Sequence, residues 1–188
     1  PVHLLVVPKA HFALDYHGAP GLRVTPVLSA DLKTAEIHAE AWVTGTAQSV
    51  QFTLGEETLS AAVTDGKAEG TFKLENVHLW DGVNDPYLYK MQATLDSGDA
   101  VEANFGCRTI AFDAEKGFIL NGRPYRLCGA ARHQDRQGLG NALTEKEHDE
   151  DMALLREMGA NTVRLAHYQH AQYFYDLCDK YGLVAWAR

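Results

Sequence analysis

Arg164 and His167 are separated by two residues in the run Asn161-Thr162-Val163-Arg164-Leu165-Ala166-His167-Tyr168. A guanidinium is a permanent cation, and an imidazole donates, accepts and titrates near neutral pH. Val163 and Leu165 are apolar and β-prone, and Gly159 stops whatever precedes them, so residues 162–166 read as a short buried strand. Arg164 and His167 then project at a strand's carboxyl end, where α/β proteins keep substrates. On spacing alone, an interior arginine paired with a carboxylate beside a core histidine is the commoner arrangement.

Helix signals surround this strand. Thr144-Glu145-Lys146-Glu147 has the form of a capping box, and the helix after it carries Met152, Leu155 and Met158 on one side before Gly159. Glu145, Glu147, Asp149, Glu150 and Asp151 suit the positive end of that helix dipole, a metal or partner role being the rarer alternative. A second helix over 171–181 places Phe174, Leu177, Cys178 and Tyr181 on one stripe, and Gly182 ends it before the apolar strand 183–186. Upstream, Phe118-Ile119-Leu120 and Tyr125-Arg126-Leu127-Cys128 flank Asn121-Gly122, a strong two-residue hairpin signal. The chain then enters a polar loop, Gly129-Ala130-Ala131-Arg132-His133-Gln134-Asp135. Strand, helix, strand, helix, strand is the rhythm of parallel sheet. No glycine-rich phosphate loop follows either strand, so a nucleotide fold has no support.

The first half changes period. Residues 2–7, 22–27, 35–43, 49–54, 57–63 and 68–74 alternate apolar and polar positions between Gly, Pro, Asp and Asn punctuation, which predicts an antiparallel β-sandwich. Trp42, Phe52, Phe72 and Trp80 are the expected large core residues. Residues 79–89 form a turn-rich aromatic loop: packing on its own sandwich or the next domain is the ordinary reading, and a sugar-stacking platform the sharper one. Asp81 and Asp85 fit a turn better than a calcium loop.

Across 188 residues, 46% are hydrophobic, 22% are charged and the net charge is −8, which argues against phosphate-backbone binding. No apolar run is long enough to span a bilayer. The start lacks the basic-then-apolar pattern of a signal peptide, which favours a cytoplasmic setting. Cys107, Cys128 and Cys178 are odd in number and lack C-x-x-C spacing, so they are expected to be small buried hydrophobes.

Asn161-x-Val163-Arg164-x-Ala166-His167-Tyr168, Phe174-Tyr175 and Asp179-x-x-Gly182-Leu183-Val184-Ala185-Trp186 together resemble the signature of glycoside hydrolase family 2. Residues 105–110, the Asn121-Gly122 hairpin and Arg132-His133-Gln134-Asp135 resemble that family's barrel entry, and the His-Gln-Asp run its β-galactosidase branch. Three positions depart from the pattern: Ala131 where Asn is usual, Gln169 where Pro is usual, and Arg188 where many members have Glu.

The resemblance implies a multidomain β then α/β chain. Residues 1–8 would be an end strand of a preceding domain or a linker, 9–113 an immunoglobulin-like sandwich, and 114–188 the first three strands and two helices of a TIM (β/α)8 barrel. It implies that His133, Arg164 and His167 bind substrate or support the nucleophile, with Arg132, Asp135 and Tyr168 as further candidates. By the family's layout both catalytic glutamates lie further along, and no Asn-Glu dipeptide occurs here. The expectation is therefore a fragment of a retaining β-galactosidase, inactive alone. β-Glucuronides or β-mannosides are the alternative substrates. No cofactor or metal site is expected within these residues, although the family allows a divalent cation for the whole enzyme. A β-galactoside would be its partner, together with a homo-oligomer or the remaining barrel, and neither nucleic acid nor membrane. The competing functions are a non-catalytic carbohydrate-binding or scaffolding module and an assembly fragment that completes its barrel with another polypeptide.

Overall fold

The computed structural model describes residues 4–187, which form two compact units: 4–78 with 88–107, and 79–87 with 108–187. Of the strand expected over 2–7, Val2 and His3 lie outside the described residues, as does Arg188. Leu4 to Val7 carry no strand and are exposed.

The first unit is the immunoglobulin-like sandwich. Strands β1 (His11–Phe12), β2 (Leu22–Leu28), β3 (Thr34–Thr44) and β6 (Lys67–Glu75) make one antiparallel sheet. Strands β4 (Ser49–Leu54), β5 (Glu57–Ala62), β7 (Tyr89–Leu95) and β8 (Ala100–Phe105) make the other, in the order β5-β4-β7-β8. Alternation does the sorting: Ala35, Ile37, Ala39 and Ala41 of β3 are buried, while between them Glu36 is exposed and His38 and Glu40 are half-buried on the outer face. Phe52 and Phe72 are in the core as expected, but Trp42 is not. It lies on the outer face, its ring stacked on Tyr16 at 3.8 Å between centroids, with the cations of Arg23 and Lys67 above it.

The second unit starts with the sheet β9 (Ile110–Asp113), β10 (Gly117–Leu120) and β11 (Arg123–Pro124). Asn121 and Gly122 join β10 to β11 with φ of 50° and 74°, the double left-handed geometry of a tight hairpin. The parallel strands β12 (Gly129–Arg132), β13 (Thr162–Leu165) and β14 (Val184–Trp186) follow in that spatial order, linked by α1 (Glu145–Glu157) and α2 (Gln172–Tyr181). This is the opening of a barrel with two helices. Thr144 and Glu147 close the expected capping box. The register corrects one expectation: the first parallel strand is not 125–128 but starts at Gly129, because Asn161 holds the chain ahead of it. Its side chain accepts from the Cys128 N–H at 2.7 Å and donates to the Arg126 carbonyl at 2.8 Å.

Two smaller expectations also fail. Met158 caps α1 and is exposed, and Cys128 is exposed, whereas Cys107 and Cys178 are buried. Loop 79–87 belongs to this second unit, where Trp80 is 2% exposed and its Nε1–H donates to the Asp179 carbonyl at 2.8 Å. A ring so buried is no platform for a sugar. Both carboxylate oxygens of Asp81 accept from Arg123, at 2.6 and 2.7 Å, so this aspartate ties a turn to the hairpin.

Candidate active-site face

The parallel sheet decides which side chains share a face. Val163 and Leu165 pack among Met152 and Leu155 of α1 and Phe174 and Leu177 of α2. Strand alternation sends Arg164 between them to the opposite face. On β12, Ala130 packs on the same helix-side cluster and the Arg132 guanidinium lies 3.9 Å from the Phe174 ring centre. Ala131, paired with Arg164 in the ladder, therefore shares the face of Arg164, and His133 follows Ala131 in phase.

The rings meet beyond the strand ends. Arg164 Nη2 donates to Nδ1 of His167 at 3.1 Å. A guanidinium only donates, so Nδ1 is the bare nitrogen and Nε2 carries the proton of the imidazole. The rings of His133 and His167 stand edge to face with centroids 5.3 Å apart, and the Tyr168 ring is 6.5 Å from that of His133. The interior ion pair that spacing favoured is not what forms: among the described residues no carboxylate pairs with Arg164. A partly exposed, permanent cation beside two imidazoles is suited to bind an anion and neighbouring hydroxyls.

Gln134 holds the two strand-end loops together, a role the sequence reading passed over. Its N–H donates to the Tyr168 hydroxyl at 3.1 Å, and its side-chain carbonyl accepts from the Ala171 N–H at the start of α2, at 2.6 Å. Gln169, at the position where proline is usual, accepts from the Tyr175 hydroxyl at 2.8 Å. The Ala166–His167 peptide is cis.

Arg132 and Asp135 stand apart from the Arg164–His167 pair. Arg132 is 7% exposed and points to the helix side, so it cannot touch a substrate held at the Arg164 face. Asp151 accepts from its Nε at 2.9 Å, His170 Nδ1 from Nη1 at 3.0 Å, and His148 Nδ1 from Nη2 at 2.9 Å. Burial and then the Arg132 charge keep His148 below the ordinary imidazole pKa. Burial also lowers His170, although the Ala166 carbonyl opposes it. Asp135 is exposed and is not joined to Arg164 or His167. The acidic run is more than a solvated helix start, since Asp151 and Glu150 pair with Arg136 and Asp149 accepts from Tyr173. A cavity of about 300 Å³ lined by Trp80, Arg108, Phe118, Leu120, Cys178 and Asp179 lies elsewhere in this unit and contains neither Arg164 nor His167.

Residues 113–187 match the sequence profile described as glycosyl hydrolases family 2, TIM barrel domain, and residues 20–108 match that described as glycosyl hydrolases family 2. A β-glucuronidase of Bacteroides fragilis is 47% identical over 61% of the chain and 17% of its own length. A β-galactosidase of Bacteroides ovatus is 33% identical over 68% of the chain and 16% of its own length. The crystal structure of an FMN-binding β-glucuronidase from Facaelibacterium prausnitzii L2-6 superposes with a TM-score of 0.86 at 38% identity, covering 96% of this chain and 29% of that one. The chain thus spans less than a third of the length of these proteins.

Proposed function

Because this chain belongs to glycoside hydrolase family 2, we propose that its Arg164 face is part of the sugar-binding mouth of a retaining β-glycosidase. The observation that carries this is a guanidinium at the carboxyl end of a parallel sheet, bonded to an imidazole and unmatched by any carboxylate among the described residues.

In a retaining mechanism one carboxylate attacks the anomeric carbon while a carboxylic acid about 5 Å away protonates the leaving oxygen; water then hydrolyses the glycosyl-enzyme. Arg164 keeps the attacking carboxylate ionised. His167, protonated at Nε2, and His133 hydrogen-bond the sugar hydroxyls as charge builds on the ring. The two catalytic carboxylates come from outside these residues, so the 188-residue chain alone turns nothing over.

β-Glucuronides are the first substrate class, supported by the names of the relatives at 47% and 38% identity. β-Galactosides are the second, supported by the His133-Gln134-Asp135 run and the galactosidase-named relative. The test is hydrolysis of p-nitrophenyl β-glucuronide and β-galactoside by the full-length protein, with the first-formed anomer read by NMR. A β-anomer from either substrate is expected. An α-anomer, or no hydrolysis of either, overturns the reading.

A further inference from the structure

We propose that Arg132 and His170 form a buried positioning relay that sets the Ala166 carbonyl, and with it the segment carrying His167. This rests on the glycosidase reading of the Arg164 face and adds two residues that never touch the substrate.

The relay follows from donors and acceptors. Arginine only donates, so the Nδ1 of His170, 3.0 Å from Arg132 Nη1, bears no proton. The ring is then the neutral tautomer protonated at Nε2, and Nε2 faces the Ala166 carbonyl at 3.3 Å. That carbonyl belongs to the peptide leading into His167. The Ala166 N–H donates to the Arg132 carbonyl at 2.9 Å, so Arg132 holds one residue from both sides, through its own backbone and through His170.

Arg132 is itself held on every side. Asp151 supplies the countercharge, His148 Nδ1 takes another N–H, and Phe174 covers the guanidinium face. His148 is likewise fixed as the Nε2-protonated tautomer by the same rule. Because both imidazoles must offer a bare Nδ1, the relay needs them uncharged. The titratable groups around it are Asp151, Glu147 and His148 on α1, His133 after β12, and Tyr168 before α2. Lysine at position 132 has three donors at one point and cannot span Asp151, His148 and His170 together.

Three variants of the full-length enzyme separate positioning from packing. His170→Phe keeps the ring volume but removes both polar atoms, while His170→Gln keeps one acceptor and one donor. Arg132→Lys keeps the charge alone. Removing the relay is expected to lower kcat about 10–100-fold, by analogy with the loss when a hydrogen-bond partner that orients a metal-ligating histidine is removed, with KM changed less than threefold. His170→Phe and Arg132→Lys should show that loss, and His170→Gln should recover at least a fifth of the wild-type kcat. A crystal structure of the His170→Phe enzyme should show residues 166–169 displaced, a readout that needs no turnover. Equal losses in the Phe and Gln variants, kcat within twofold of wild type in His170→Phe, or an unmoved 166–169 segment would overturn the relay. Absence of turnover in the wild type strikes the glycosidase reading instead, and the crystal structure still decides the relay.

Discussion

The Arg164 guanidinium donates to Nδ1 of His167, three residues further along, and thereby fixes which nitrogen of that imidazole carries its proton. One side chain therefore both supplies the positive charge of the face and presets its neighbour as a donor. Replacing Arg164 removes both effects together.

In the full-length enzyme, Arg164→Met is expected to reduce kcat by at least 100-fold, the scale of removing one preorganised electrostatic group. The acid limb of the kcat/KM profile should also move. An adjacent guanidinium lowers a carboxylate's pKa by about 1–3 units, so its loss raises the nucleophile's pKa and shifts the limb toward neutral pH. A pH–rate series on wild type and variant checks both; an unmoved limb would separate Arg164 from the nucleophile.

Trp80 makes a stability prediction. It is 2% exposed and bridges the Asp179 carbonyl through its indole N–H and the Asn121 amide through its own carbonyl. Trp80→Ala should cost about 3–5 kcal/mol from the cavity. Trp80→Phe should cost about 1–3 kcal/mol, because the part-buried Asp179 carbonyl loses its donor. Urea melts monitored by far-UV circular dichroism give the ordering.

The two buried imidazoles predict acid sensitivity. His148 and His170 have pKa values depressed in the folded state, so unfolded chains bind more protons as pH falls below the ordinary histidine value of about 6.5. Stability is thus full above that value and is lost as pH falls toward the folded pKa values. The melting temperature should drop between pH 7 and pH 5, and drop less in His148→Gln. Equal slopes in wild type and variant would remove His148 from the account.

Thiol chemistry should split the cysteines. Burial pushes the Cys107 thiol up to about 11 and that of Cys178 up to about 12, while Cys128 is exposed. The thiolate is the reactive form, so native chains should consume a single equivalent of a disulfide reagent rapidly, and Cys128→Ser should abolish that phase. Three fast equivalents would contradict the packing.

What could be read from the residues alone was whatever is decided locally. Asn121-Gly122 tolerates left-handed backbone at both positions, so its hairpin is written in two letters. Thr144 and Glu147 carry their capping box at fixed spacing, and the alternation of β3 mirrors its two environments. The misses come from distant partners. The start of β12 depends on Asn161, 32 residues beyond Gly129. The role of Arg132 depends on His148, Asp151 and His170, none of which is signalled by its neighbours. Trp42 reads as core by size, yet two cations and Tyr16 give its ring a better surface site.

The assignment of residues 79–87 to the unit built from 108–187 bears on how this chain can be dissected. No single scission releases either unit whole. A cut near residue 108, the natural place to separate strands from helices, leaves Trp80 and Asp81 behind and strips Arg123 and the Asp179 carbonyl of the groups they hold. An expression boundary placed there should yield aggregation-prone α/β protein, and supplying residues 79–87 as a separate peptide should restore part of its solubility.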